Sequence, residues 1–208
     1  MLRRSGLNLH DALTVLDFGC GPGFIWDHLR ELNSSWLYTA LDFSPESIKK
    51  ILKKAEGSLN FKGAQHITQL PANLSSGSCD VVLLFEVVEH LNDQYLDATL
   101  VEVARLLKPG GVLVITTPNE EDLNNAKKYC PDCGSIFHEW QHIRSWSKGT
   151  LMERAKMHGL KMEEAIALDF ASEDWSPLGI FRKIKWLVRG LIFPNTKKPH
   201  LIATFKKI

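Results

Sequence analysis

Val15-Leu16-Asp17-Phe18-Gly19-Cys20-Gly21-Pro22-Gly23 joins an apolar run to three glycines at every second position, and an amphipathic pattern follows directly. An apolar segment that ends in an acid and passes through a glycine turn into a helical period describes a strand delivering a small-molecule-binding turn to a helix N-terminus. Glycine lets the backbone turn tightly and approach a ligand that any Cβ would push away. The spacing also excludes a ligand class. Phe24 stands where the dinucleotide fingerprint G-x-G-x-x-G needs its third glycine, which disfavours a pyrophosphate cofactor.

Outward from this turn the chain alternates between two periods. The first strand spans Leu13–Phe18, and Ile25, Leu29 and Leu32 mark one face of a helix that starts near Pro22. A second apolar run, Trp36–Phe43, contains Asp42 near its end. Ser44 is a suitable N-cap with Pro45 at the first helical position, Ile48, Ile51, Leu52 and Ala55 share a face, and Gly57 reads as the C′ residue. A weak strand is expected around Leu59–Lys62, then a polar, turn-rich stretch to Ser78. Asp80–Phe85 is continuously apolar, as in a parallel strand buried on both faces. A helix over Asp93–Leu107 is stopped by Lys108-Pro109-Gly110-Gly111, and Val112–Thr117 is again a strand. Residues 118–147 read as an irregular excursion. A short helix follows over Lys148–His158, capped by Ser147 and ended by Gly159, and strands near Lys161–Leu168 and His200–Lys207 close the chain. This alternation predicts one doubly wound α/β domain over residues 1–208, with insertions at 118–147 and 170–199.

The 208 residues, 44% hydrophobic and 24% charged, suit a single domain with a full core. The net charge of +1 conceals an asymmetry. After Asp174 there are eight basic residues and no acid, so the 17 remaining basic residues face all 24 acids and leave residues 1–174 at −7. A body this acidic argues against nucleic acid held along its face. The basic, aromatic stretch 180–193 suits peripheral contact with an anionic membrane or cover over a hydrophobic substrate, although packing on the sheet with its charges in water is the simpler expectation. Met1–Gly6 lacks the apolar core of a signal peptide and no run of 18 apolar residues occurs, which leads to the expectation of a cytoplasmic protein.

In an open α/β sheet, ligands bind beyond the carboxyl ends of the strands, at the switch in strand order. Asp17 and the glycine turn close the first strand, Asp42 closes the second about 20 residues past the turn, and Phe85-Glu86 closes the fourth. Carboxylates there suit a ribose and a cationic, non-phosphorylated tail better than phosphates. Four segments carry a resemblance in order and spacing: the glycine stretch; Ala40-Leu41-Asp42-Phe43-Ser44; Cys79-Asp80-Val81-Val82 through Glu86-Val87-Val88-Glu89-His90-Leu91; and Leu106-Leu107-Lys108-Pro109-Gly110-Gly111-Val112-Leu113. Together they resemble the successive motifs of class I S-adenosylmethionine-dependent methyltransferases, of the ubiquinone-biosynthesis-like branch. The resemblance implies a Rossmann-like, mostly parallel seven-stranded sheet with an antiparallel last strand. It also implies S-adenosylmethionine as cofactor. Asp17, Gly19, Cys20, Gly21 and Gly23 would hold its methionine moiety, Asp42 the ribose and Phe43 the adenine, with Phe85 and Glu86 bordering the donor methyl. The family's acid at the end of the third strand is missing, and Gly63-Ala64-Gln65 leaves Gln65 or backbone groups to meet the adenine.

Methyl transfer from a sulfonium is an in-line displacement, so the enzyme positions the acceptor and, for a hydroxyl, removes its proton. His90, with an ordinary pKa of about 6.5, is the candidate base, and Glu86 joins it as a candidate catalytic group. Glu86, Glu89, His90 and His142 also resemble the divalent-metal set of small-RNA 3′-terminal 2′-O-methyltransferases, which makes a metal-dependent RNA enzyme the alternative. A second metal reading competes for the same histidine: Cys130, Cys133, His138 and His142 form C-x2-C-x4-H-x3-H, an ordinary zinc donor set at compressed spacing. A non-catalytic adenosyl-ligand-binding protein or a zinc interaction module completes the alternatives. The leading expectation is O-methylation of a small-molecule or lipid-linked acceptor.

Overall fold

The computed structural model describes residues 7–8, 10–33, 35–169 and 198–208. Seven strands form one sheet: β1 (Thr14–Phe18), β2 (Leu37–Asp42), β3 (Phe61–His66), β4 (Cys79–Phe85), β5 (Leu107–Pro118), β8 (Leu160–Leu168) and β9 (His200–Lys207). Their order is β3-β2-β1-β4-β5-β9-β8, so the winding reverses between β1 and β4. Strands β1 to β5 pair in parallel, whereas β9 runs antiparallel to both β5 and β8. This is the doubly wound sheet that the alternation predicts, with the antiparallel last strand that the family resemblance implies.

Side-chain alternation along the strands divides the core into two layers. Val15, Val81 and Val112 meet Trp26 of α1 (Phe24–Leu32) and Ile48 and Ile51 of α2 (Pro45–Lys54) on one face. Leu16, Leu84 and Leu113 meet Leu96, Leu100 and Val103 of α3 (Asp93–Leu106) and Leu151 and Ala155 of α4 (Lys148–Lys156) on the other. Each fully buried aliphatic side chain contributes about 1.5–3 kcal/mol, and the central strands contribute to both layers, hence their unbroken apolar runs. Helix entries are fixed locally. Ser44 Oγ accepts the Ser47 N–H, Asn92 caps α3 through the Tyr95 N–H, and Ser147 with Thr150 forms a reciprocal capping box.

Several expectations shift. Strand β3 lies at Phe61–His66 rather than 59–62, because its parallel pairing with β2, from Ala40 opposite Ala64 to Asp42 opposite His66, overrides the poor strand propensity of Gly63 and Ala64. Helix α2 ends at Lys54 with Ala55 as C-cap, so Gly57, with φ +76°, belongs to the following turn instead of the C′ position. Strand β5 begins already at Leu107, which pairs with Cys79 ahead of a register shift. The excursion after β5 is not wholly irregular, since β6 (Lys127–Tyr129) and β7 (Ile136–His138) form an antiparallel hairpin. The stretch 180–193 and most of the 170–199 insertion lie outside the described residues. Among those described, no helix is long and apolar enough to cross a membrane.

The polar connection before β4 is held by an ion pair between a buried acid and a partly exposed arginine. Glu102 on α3 accepts the Ala72 N–H and binds Arg105, whose guanidinium also donates to the carbonyls of Ala72 and Leu74. Replacing Arg105 with Ala leaves the buried Glu102 carboxylate with the Ala72 N–H alone and is expected to cost about 1.5–3 kcal/mol, measured as a lower midpoint in urea-induced unfolding at unchanged slope.

Candidate functional site

At the carboxyl ends of β1 and β2 the backbone is tied into a cradle. The Gly19 and Cys20 N–H groups both donate to Leu41 O, at 2.8 and 3.1 Å. Gly21 N–H donates to Asp42 Oδ2 at 2.8 Å, and Ser44 N–H donates to Asp42 Oδ1 at 2.7 Å. The three glycines have different duties. A Cβ on Gly19 would stand 2.5 Å from Val87 and one on Gly23 would stand 2.8 Å from Ile51, so these two allow close packing. A Cβ on Gly21 would meet nothing within 4 Å, which leaves its face as the open side of the turn.

Asp17 is fully buried at the end of β1, and burial pushes its carboxyl up to about 7. The Tyr38 hydroxyl donates to its Oδ2, while Oδ1 has no hydrogen-bond partner. A buried acid with one unsatisfied oxygen beside an open glycine face fits a ligand that brings a cationic ammonium group. Asp42 is only partly buried and already engages two N–H groups, but each carboxylate oxygen has a second lone-pair site for a ribose hydroxyl. Phe43 is exposed, its ring 6.4 Å from that of Phe18, and Gln65 lies half-buried on β3. The Cys20 thiol is buried against Gly21 O and pushed up by burial, which keeps it neutral in the turn. These residues fit S-adenosylmethionine.

The second half of the site follows β4. Phe85 is half-buried, and Glu86 after it is exposed with φ +53°, a left-handed conformation that a non-glycine residue adopts at a cost of about 1–2 kcal/mol. That turn sends Glu89 inward, where Thr117 donates to Oε2 and burial, reinforced by Glu86, pushes the carboxyl up to about 8. His90 stays outside, its pKa lowered by partial burial and by His142, whose ring lies 4.9 Å away. Beyond them is a cleft of about 760 Å³ lined by Glu86, His90, Glu121, Trp140, His142 and His200.

Two donor groupings therefore meet in space: Glu89, His90 and His142, and Glu121, His138 and His142. The expected Cys2His2 zinc set does not assemble. The β6–β7 hairpin carries Cys130 and Cys133 at its tip, whereas His138 pairs with Lys127 at its base, three strand residues or about 10 Å away. Among the described residues no cysteine joins a candidate metal group. Cys133 is exposed, and hydrogen bonding with Ser135 lowers its thiol to about 7. Sequence reasoning missed Tyr38 and Glu121. Tyr38 was detectable as a polar tip inside an apolar strand, while nothing local marks Glu121.

The sheet order, the glycine cradle and the cleft beyond β4 define a class I, Rossmann-like methyltransferase fold. A family model described as a methyltransferase domain matches residues 2–165, and the chain belongs to this S-adenosylmethionine-dependent methyltransferase family. A ubiquinone biosynthesis O-methyltransferase of Caulobacter vibrioides is 34% identical over 110 residues, 52% of this chain and 42% of that protein. A 2-methyl-6-phytyl-1,4-hydroquinone methyltransferase of a Synechocystis strain is 28% identical over 217 residues, covering 97% of this chain and 66% of the relative. The first relative is thus matched over less than half its length. An S-adenosylmethionine-dependent methyltransferase from Mesorhizobium loti superposes with a TM-score of 0.68 at 16% identity, over 99% of this chain and 95% of that one, which shows the shared fold.

The raised Asp17 carboxyl makes stability depend on pH. The unfolded chain sheds this proton near an ordinary value of about 3.9, the folded chain only near 7, so stability falls as pH rises between the two, by up to about 1.4 kcal/mol per unit. Urea unfolding across pH 4–8 should show this fall, to which the raised Glu89 carboxyl adds in the same direction, and Asp17→Asn should remove the share of Asp17.

Proposed function

We propose that this domain transfers the methyl group of S-adenosylmethionine to an oxygen atom of a small aromatic or lipid-linked acceptor of the phenol or hydroquinone type. The observation that carries the reading is the adjacency of the Asp17–Gly21–Asp42 cradle to a cleft that begins at Glu86 and contains His90. The names of the two relatives support the acceptor class. When bound, the cofactor supplies an electrophilic sulfonium methyl group. Asp17 would receive the methionine ammonium on Oδ1, Asp42 would take the ribose hydroxyls, and Phe43 and Gln65 would hold the adenine. Phe85 and Glu86 frame the passage between cradle and cleft. His90 takes the acceptor hydroxyl proton, since its partly exposed imidazole faces the cleft while Glu89 is held inside. Positioning two reactants in line accounts for much of the acceleration such a site provides.

The acidic surface of residues 1–174 favours this reading over the RNA alternative, because phosphate backbones demand compensating cations. Calorimetric titration with S-adenosylhomocysteine tests the donor half. Binding should weaken at least about tenfold in Asp17→Ala and in Asp42→Ala, in line with the loss of a charged hydrogen-bond partner. Equal binding by both variants would refute the cradle assignment. Methyl transfer assayed over a panel of catechols and hydroquinones tests the acceptor half. His90→Ala should lower kcat about 100-fold or more, within the range of general-base contributions, and leave S-adenosylhomocysteine affinity unchanged. Turnover unaffected by that substitution would remove His90 as the base.

A further inference from the structure

Glu121 and His142 in the cleft wall, with the buried His138 behind them, are three side chains that the methyl-transfer reading does not employ. Glu121 leaves the chain just after β5, His138 ends β7, and His142 follows four residues later. All three are withdrawn from solvent, with side-chain exposures of 20%, 4% and 10%. One donor atom from each lies within 4.8 Å of the other two. Glu121 Oε2 is 2.6 Å from His142 Nδ1, and Glu121 Oε1 is 3.6 Å from His138 Nε2, an atom that is buried and makes no hydrogen bond. Donors at about 2.0–2.1 Å from a tetrahedral ion stand about 3.3 Å apart, so these separations bracket the required geometry.

We propose that Glu121, His138 and His142 bind one divalent first-row transition ion of the zinc type. Two imidazoles with a single carboxylate suit zinc, and they are a poor match for magnesium or calcium, which take oxygen-rich shells. Three protein donors leave a fourth tetrahedral position for water. Backbone hydrogen bonds anchor the segments beside them: Glu120 N–H donates to Trp146 O at 2.7 Å, and Glu139 N–H donates to Ala126 O at 2.8 Å. The His142 N–H donates to His138 Nδ1 at 3.4 Å, the outer limit of a hydrogen bond. Binding through Nε2 requires the tautomer with its proton on Nδ1, so the metal bond replaces that long hydrogen bond. The ion would tie the excursion after β5 to the hairpin base and fix the ring that packs against His90. The site stands apart from the methyl-transfer reading, and its test needs no turnover.

The full chain, stripped with a chelator, is titrated with zinc and analysed for bound metal. One zinc per chain is expected in the wild type and in a Cys130→Ser, Cys133→Ser double variant, with affinities within about twofold of each other. Affinity should fall at least about 100-fold in Glu121→Gln and in His138→Ala, as for loss of a direct ligand. Cobalt-loaded wild type should show ligand-field bands without thiolate charge-transfer absorption, a readout that does not depend on how well the variants fold. No binding by the wild type, thiolate absorption, loss of metal in the double-serine variant, or loss in His90→Ala with retention in Glu121→Gln would each overturn the proposal.

Discussion

The Asp42 carboxylate links the end of one parallel strand to the turn that follows its neighbour. Accepting the Gly21 and Ser44 N–H groups together, it sets the glycine turn and the start of α2 in one frame. The Leu41 carbonyl, one residue earlier, holds Gly19 and Cys20 in the same way. The cradle is therefore a consequence of the β1–β2 register, in which Asp17 lies opposite Ala40 and Phe18 opposite Leu41. A slip of that register would turn Asp17 to the opposite face and dissolve the turn.

Legibility in the sequence follows burial. Strands β1, β2, β4 and β5 could be read because two core layers require apolar residues on both faces, and α2 because Ser44-Pro45 marks its start. Strand β3 was shorter and earlier in the sequence reading than in the structure, since an edge strand containing Gly63 is defined by its partner and not by its own residues. The glycine turn and the acids at the strand ends were legible for the same reason as the strands that carry them. The cleft wall was not. His138 and His142 were visible as metal-binding residue types, but the cysteines that precede them in sequence are separated from them by the extended length of the hairpin, and Glu121 reaches them only through the tertiary fold.

The two halves of the site also differ in construction. Asp17 sits on a central strand, its position set by core packing and by Tyr38. The groups beyond β4 depend on a left-handed residue, a buried Glu89 and a hairpin whose apolar side chains Tyr129, Ile136 and Phe137 are exposed. Rigid donor geometry thus coexists with a wall that changes in sequence would alter more readily.

Strand β9 enters the sheet between β5 and β8, and His200 at its start pairs with both Pro118 and Leu168. The chain between Leu168 and His200 consequently departs from and returns to a single point, on the rim where Pro199 and His200 border the cleft. Such a connection is topologically neutral: because closing a loop costs free energy only logarithmically in its length, this rim can accept chain of widely different length and composition without disturbing a ladder bond. The antiparallel strand is thereby a grafting point, where chain can be inserted without a change in the pairing of the sheet.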